Sequence, residues 1–549
     1  MRKIILAAAA ALFATQSAAQ TPLPPKLLVV ISVDQFSADL FDEYRPQFTG
    51  GLARIASGIV FRNGYQAHAG TETCPGHSTI LTGDHPARSG IAINNWYDFS
   101  IERADKSVYC AEDETVPGSS STNYIVSAKH LKVPTLGELM KARTPASRNV
   151  AVAGKDRAAV MMGGHNPDQR WFFKGQGFTT DLSAAAVPAS VTRTNAAVAA
   201  KLAQPEPGLE PPPYCAARSK TYVLGGKPNS LPGTPKTVGN GRFARAPGDS
   251  NLFVRSPEAD AAVLALAAGL IGEMRLGRGP APDLISVGLS ATDYVGHTYG
   301  TEGQEMCLQL FELDRDLGGF LDVLDRSGID YAVALTADHG GFDIAERAIE
   351  RLPDAADVDV ELETNRVGAG IAKSLGLTGR LLYGEWAGDI YVDSRLAADD
   401  RSRVTAEAIR RYKAHPQVEA VFTKDEIART AMPTGSPDQW SLIDRVRASF
   451  DPQRSGDLWV VLKKHIAPLP STPNLASTHG TPWDYDRRVP IIFWRRGAAG
   501  TTSDSPVDTV DIMPTLAAMI GLPLAPGSID GHCLASVAWC GSAAQPGQR

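Results

Sequence analysis

The 549 residues carry 43% hydrophobic and 21% charged side chains, with a formal net charge of −6. That balance excludes a disordered chain and gives a globular fold enough apolar mass for a sizeable core without help from disulfides. It also argues against nucleic acid as a bulk electrostatic partner, and an anionic small substrate would need local positive charge, for instance from metal ions.

The N-terminal MRKIILAAAAALFATQSAAQ has Arg2 and Lys3, an apolar run from Ile4, and then Ser17, Ala18 and Ala19. This is the pattern of a secretory signal peptide over residues 1–19, cut after Ala19. Its apolar run is too short to span a bilayer, and no later segment is apolar for long enough. The expectation is an exported, periplasmic protein with no stable membrane span. Export places Cys74, Cys110, Cys215, Cys307, Cys533 and Cys540 in oxidising surroundings, where some should pair. Spacing leaves the connectivity open: Cys533 and Cys540 are near enough to close a small loop, and Cys110 with Cys215 is a trial pairing.

Short apolar, β-branched runs recur along the chain: KLLVVISVD (26–34), RNVAVAGKD (148–156), PDLISVGLSATD (282–293), DYAVALTADHG (330–340) and RVPIIFW (488–494). Helix-like segments such as 256–277 and 304–328 lie between them. Runs apolar on both faces read as buried parallel strands, so the class is α/β. Residues 204–247, rich in Pro and Gly, read as loop within an insertion of about 200–250. Residues 400–466 read as an inserted α+β subdomain of a single catalytic domain spanning 26–540. Four of the five runs end in ionisable residues: Asp34, Lys155 with Asp156, Asp293, and Asp338 with His339. Ligands of open α/β sheets bind beyond the carboxyl ends of the strands, so four such endings point to one shared site.

Asp293 and His297 are four apart and share one face of a helical turn. Asp338 and His339 are adjacent at a strand end, and His479 sits in the Gly-containing loop STHGTPWDYD. With Asp34 these make three aspartates and three histidines. Six N and O donors exceed the needs of one catalytic zinc and suit a two-metal site, which can clamp both oxygens of an in-line displacement.

With these residues, the pieces VDQF, TETCPGH, GDHPARSGIAINNWYD, TDYVGH, TADHGGFD, THGTPWDYDRRVPIIFW and DTVDIMPTLAAMIG resemble the alkaline phosphatase superfamily from residue 31 to about 520. The resemblance implies a three-layer sandwich, a largely parallel sheet between helices, with insertions forming a cap. It implies two Zn2+ ions, one held by Asp293, His297 and His479, the other by Asp34, Asp338 and His339 with Thr73 as a further ligand. Thr73 matches the nucleophile of the branch resembling nucleotide pyrophosphatases/phosphodiesterases, while Thr71 lies two residues too early. Cys74 is followed directly by Pro75 and position 78 is not Arg, so the C-x-P-x-R pattern of sulfatases is out of register. Cys74 then reads as a buried small residue or half of a disulfide, and His77 as a residue orienting the nucleophile turn.

The same resemblance bears on substrate. Asn94 would donate to a non-bridging phosphate oxygen. Lys155 and Arg157, two apart in what reads as an extended segment, would point to one side and bind the extra unesterified oxygen of a monoester. This pair resembles the signature of periplasmic, threonine-dependent alkaline phosphatases, whose substrates are small phosphate monoesters. A phosphodiesterase or nucleotide pyrophosphatase on the same two-zinc threonine site is the alternative, and it requires Lys155 and Arg157 to lie away from the metals.

Overall fold

Strand β1 (Leu27–Val33) is buried at every position, yet its side chains divide between two cores. Leu27, Val29, Ile31 and Val33 join one cluster, and Leu28 and Val30 the other, because alternate residues of a strand face opposite ways. Such a strand must be covered by helices on both sides, and each fully buried Leu or Ile stabilises the fold by about 1.5–3 kcal/mol.

The computed structural model describes residues 23–183, 186–225, 236–468 and 475–537. The signal peptide expected at residues 1–19 lies outside them. So does Cys540, on which the pairing with Cys533 depends. The main sheet contains β1, β2 (Ile59–Tyr65), β3 (Asn149–Ala153), β4 (Gln169–Lys174), β5 (Gly177–Thr179), β6 (Asp283–Leu289), β7 (Tyr331–Thr336), β8 (Arg488–Arg495), β9 (Thr501–Ser503) and β10 (Val507–Asp508). Its spatial order is β9-β2-β8-β7-β1-β6-β3-β4-β5, with β10 also on β2. The centre, β7-β1-β6-β3-β4, is parallel throughout.

Helices α3 (Pro257–Glu273) and α5 (Gln304–Ser327) cover one face. The 24-residue α5 buries Leu310, Leu313, Leu317, Leu321 and Leu324, a stripe at helical spacing, and ends at Gly328 with φ 68°. Helices α1 (Thr73–Thr82), α2 (Asp156–Gly163) and α6 (Ile512–Met519) cover the other face through Ile80, Leu81, Met161, Met513 and Leu516. The three-layer α/β reading therefore holds. A smaller four-stranded sheet, with Gly388–Val392 and Val418–Thr423 both antiparallel to Leu458–Leu462, packs with helix Ala398–Ala414 around its own apolar cluster. No helix among the described residues is long and apolar enough to cross a membrane.

Three expectations need correction. The run at 488–494 is a buried strand but not a parallel one: β8 is antiparallel to both β7 and β2. An apolar pattern records burial and not direction, and the chain enters β8 from the end where the parallel strands finish. Residues 204–247 are not all loop, since they include the helix Pro213–Ala216 and a hairpin of Tyr222–Leu224 with Lys236–Val238. Cys110 does not pair with Cys215. Among the described residues Cys74 pairs with Cys110 and Cys215 with Cys307, the second bridge tying the helix at Pro213 to α5.

Candidate active site

The residues singled out above converge at the carboxyl end of the parallel strands. Asp34 follows β1, Lys155 follows β3, and Asp338 and His339 follow β7. Asp293 and His297 lie on α4 (Ala291–Tyr299), the helix that leaves β6. His479 comes from the loop that leads into β8.

Donor atoms of Asp293, His297 and His479 lie within 4.8 Å of one another, and so do those of Asp34, Asp338 and His339. The groups adjoin, with the rings of His339 and His479 stacked at 3.6 Å between centroids. Each histidine has one nitrogen tied to a backbone carbonyl: His297 Nδ1 to Ser477 at 2.8 Å, His339 Nδ1 to Gly340 at 2.8 Å, and His479 Nδ1 to Thr71 at 2.7 Å. A carbonyl only accepts, so Nδ1 carries the proton and Nε2 presents its lone pair, the form in which histidine binds metals. His339 Nε2 and Asp34 Oδ1 are buried, face each other across 3.4 Å and make no hydrogen bond. Buried polar atoms left this way are costly unless a further group occupies the space between them.

Electrostatics point the same way. Burial, and then the charges of Asp293 and Asp338, push the Asp34 carboxyl well above its ordinary range. Burial pulls His339 down to about 3 and lowers His479, so both stay neutral. Three buried aspartates with neutral imidazoles are a donor set for divalent cations. Both groups fit a bound metal ion.

Lys155 sits between the groups, only 3% exposed. Its Nζ is 2.6 Å from Asp34 Oδ2, 2.5 Å from Asp293 Oδ2 and 3.4 Å from Thr73 Oγ1. Burial opposes its charge, but Asp293 and Asp34 outweigh that and hold it above the usual lysine range. The extended geometry expected for Lys155 and Arg157 is not observed. Lys155 is the extended N-cap residue of α2, and Arg157 lies in the first turn of that helix. Both still reach the site, because a helix opening at Asp156 turns Arg157 into the same cleft.

Thr73 is the first residue of α1, where unpaired N–H groups and the helix dipole favour negative charge. Helix α1 lies hard against the Asp338 turn: a Cβ on Gly76 would fall 2.0 Å from the Asp338 carbonyl oxygen. His77 Nδ1, 2.9 Å from Thr73 O and 3.0 Å from Asp338 Oδ2, spans the same contact. Cys74 N–H donates to Asn94 Oδ1 at 2.8 Å, which uses the acceptor end of that amide and leaves its NH2 for the cleft. Cys110 N–H donates to Asn94 O, so the Cys74–Cys110 bridge and Asn94 hold one another.

Thr73, Asn94, Arg157, His297 and His479 line one cleft of about 610 Å³. Several further residues escaped the sequence reading. Tyr109 and Tyr124 donate to the two carboxylate oxygens of Asp156 at 2.8 and 2.7 Å, fixing the start of α2. Gln35, at φ 64°, donates through Nε2 to Asp293 Oδ1 at 3.3 Å and through its backbone N–H to Asp338 Oδ1 at 3.1 Å. Glu72 Oε2 accepts the Asn94 N–H at 2.7 Å. Gln35 and Glu72 stand beside Asp34 and Thr73 in sequence, and that adjacency was the available signal. The tyrosines gave none.

Residues 28–481 match the family model described as type I phosphodiesterase/nucleotide pyrophosphatase. The chain is 53% identical to the alkaline phosphatase PhoK of Sphingomonas sp over 524 residues, covering 94% of this chain and 92% of that protein. It is 45% identical to the alkaline phosphatase PhoD of Zymomonas mobilis over 514 residues, covering 93% and 88%. The crystal structure of wild-type alkaline phosphatase PafA, a protein known from Elizabethkingia meningoseptica, superposes with a TM-score of 0.78 at 26% identity, covering 92% of this chain and 98% of that one. The chain thus belongs to the type I phosphodiesterase/nucleotide pyrophosphatase family and, within it, to the hydrolases of the alkaline phosphatase kind.

Proposed function

We propose that this protein hydrolyses phosphate monoesters through a phosphothreonine intermediate, using two zinc ions, and releases inorganic phosphate. The observation that carries the monoester reading is the position of Lys155 and Arg157. Lys155 Nζ lies 3.4 Å from Thr73 Oγ1, and Arg157 lines the same cleft. A phosphodiesterase or nucleotide pyrophosphatase, the alternative that the family match favours, needs room there for a second ester group.

In this reading Asp293, His297 and His479 hold one zinc, and Asp34, Asp338 and His339 hold the other, with Thr73 as an added ligand. When bound, the ions supply Lewis acidity that favours the threonine alkoxide and stabilises the departing oxygen. Thr73 Oγ1 bonds to phosphorus as the bond to the leaving alcohol breaks, and water then displaces Thr73 to release phosphate. Asn94 donates its amide to one non-bridging oxygen, while Arg157 and Lys155 neutralise the others. Catalysis is then mainly positioning and charge stabilisation, as a loose phosphoryl-transfer transition state requires.

Export to the periplasm is part of the proposal. The leader-like N-terminus supports it, and two disulfides are at home in an oxidising compartment. The segments at about 200–250 and 400–466 are taken as insertions in one catalytic domain.

Arg157→Ala tests the substrate class. A charge-assisted contact to the third phosphate oxygen is worth about 1.5–3 kcal/mol, so monoesterase kcat/KM should fall about 10- to 100-fold. Diesterase kcat/KM on the matching methyl ester should fall much less. Equal losses would assign Arg157 to general binding or to folding.

A further inference from the structure

Beyond the phosphate-binding end, the cleft changes character. The smaller sheet supplies one wall: Asp389 and Trp459 are cross-strand partners, and Tyr391 lies two residues on from Asp389, so all three share a face. Tyr97, also in the lining, packs edge-on against Tyr391, with 5.4 Å between ring centroids. Three carboxyl groups line the cleft, Glu385 and Asp389 on the side of the smaller sheet and Glu72 next to Thr73. Among the described lining residues Arg157 is the only Lys or Arg, and it is claimed by phosphate in the reading above. Arg380 stands behind the lining, 6.0 Å from the Tyr97 ring centroid, and offsets part of the Glu385 charge, which leaves Asp389 as the main anion of this end.

Asp389 is the informative member. It is 6% exposed, Gly456 N–H donates to its Oδ1 at 3.0 Å, and its Oδ2 is buried with no hydrogen-bond partner. Burial pushes it up to about 7 against the pull of Gly456 N–H and Lys424, and Glu72 adds to the rise. Under alkaline conditions it is an anion with one oxygen unserved, on the same sheet face as the aromatic side chains of Tyr391 and Trp459. Carboxylates combined with aromatic faces attract organic cations and repel anions.

We propose that this end of the cleft is a leaving-group subsite that selects by charge, accepting cationic alcohols such as amino alcohols and disfavouring anionic ones. The inference rests on the monoesterase reading and adds the class of alcohol.

The test compares kcat/KM at alkaline pH for the phosphate monoesters of choline, of 3,3-dimethylbutanol (its neutral isostere) and of 3-hydroxypropanoate. Methyl aryl phosphate diester serves as the control. The expected order is cationic, neutral, anionic, with the cationic ester favoured over the neutral one by about tenfold. Asp389→Asn and Glu385→Gln should each lower the cationic-to-neutral ratio several-fold. Glu385 is exposed, so its variant tests the idea even if Asp389→Asn fails to fold. Equal turnover of the three monoesters, or a preference that survives both substitutions, overturns the subsite. Turnover of the diester but of none of the monoesters overturns the monoesterase reading on which it stands, a result distinct from equal turnover.

Discussion

Replacing Thr73 with alanine should lower kcat/KM for an aryl phosphate monoester by about 1000-fold or more, the scale seen when a nucleophile is removed. The change deletes one hydroxyl and one methyl. The partner of Oγ1 among the hydrogen bonds is Lys155 Nζ at a long 3.4 Å, and the side chain caps nothing, so stability should change by less than about 1 kcal/mol. Thr71→Ala is the contrast. Thr71 Oγ1 donates to Thr481 O at 2.8 Å inside the protein, tying the nucleophile loop to the loop that carries His479. Its loss should cost about 1–3 kcal/mol of stability, with kcat falling far less than for Thr73→Ala. Activity and thermal unfolding measured on both variants separate the chemical role from the structural one. Unchanged turnover in Thr73→Ala would end the nucleophile assignment.

Removing divalent metal should have a comparable effect on rate and a larger one on the fold. Asp34, Asp293 and Asp338 are buried within one neighbourhood, and Lys155 reaches only two of them. A cation that binds the folded state and not the unfolded one stabilises by RT ln(1 + [L]/Kd), about 3–4 kcal/mol at 100 to 1000 times Kd. Dialysis against a chelator should therefore abolish turnover and lower Tm. Added zinc should restore both, with elemental analysis returning two ions per chain. A chelated protein that keeps full activity and an unchanged Tm would remove the metals from the account.

The donor residues were legible because their signals are local. Asp34, Asp338 and His339 end strands that burial alone reveals, and Asp293 with His297 needs only the helical period. Thr73 was different: its neighbours Thr71 and Cys74 are equally plausible by chemistry, and resemblance made the choice. Contacts at long range were not legible. Nothing near Tyr109 or Tyr124 in sequence says that both would meet Asp156, because the hairpin of Asn95–Tyr97 with Ser107–Tyr109 and the loop that holds Tyr124 are positioned by tertiary packing. The Cys74–Cys110 pairing likewise joins segments 36 residues apart that tertiary packing brings together. The direction of β8 could have been inferred. If His479 and Asp338 share a site, the strand after His479 starts where β7 ends and must run back against it. The start of α2 at Asp156 was hidden by the charged triplet at residues 155–157, which has no apolar periodicity to mark a helix.

The central claim is that the buried cations beside Thr73 recognise a phosphate with three free oxygens. The most direct test is kcat/KM of the zinc-loaded protein, without its first 19 residues, for one aryl phosphate monoester and its methyl diester. The account predicts a monoester preference of about 100-fold or more, the scale of one or two charge-assisted contacts to the third oxygen. A diester turned over equally well or better would leave Thr73 and the metal groups in place and contradict the role given to Lys155 and Arg157.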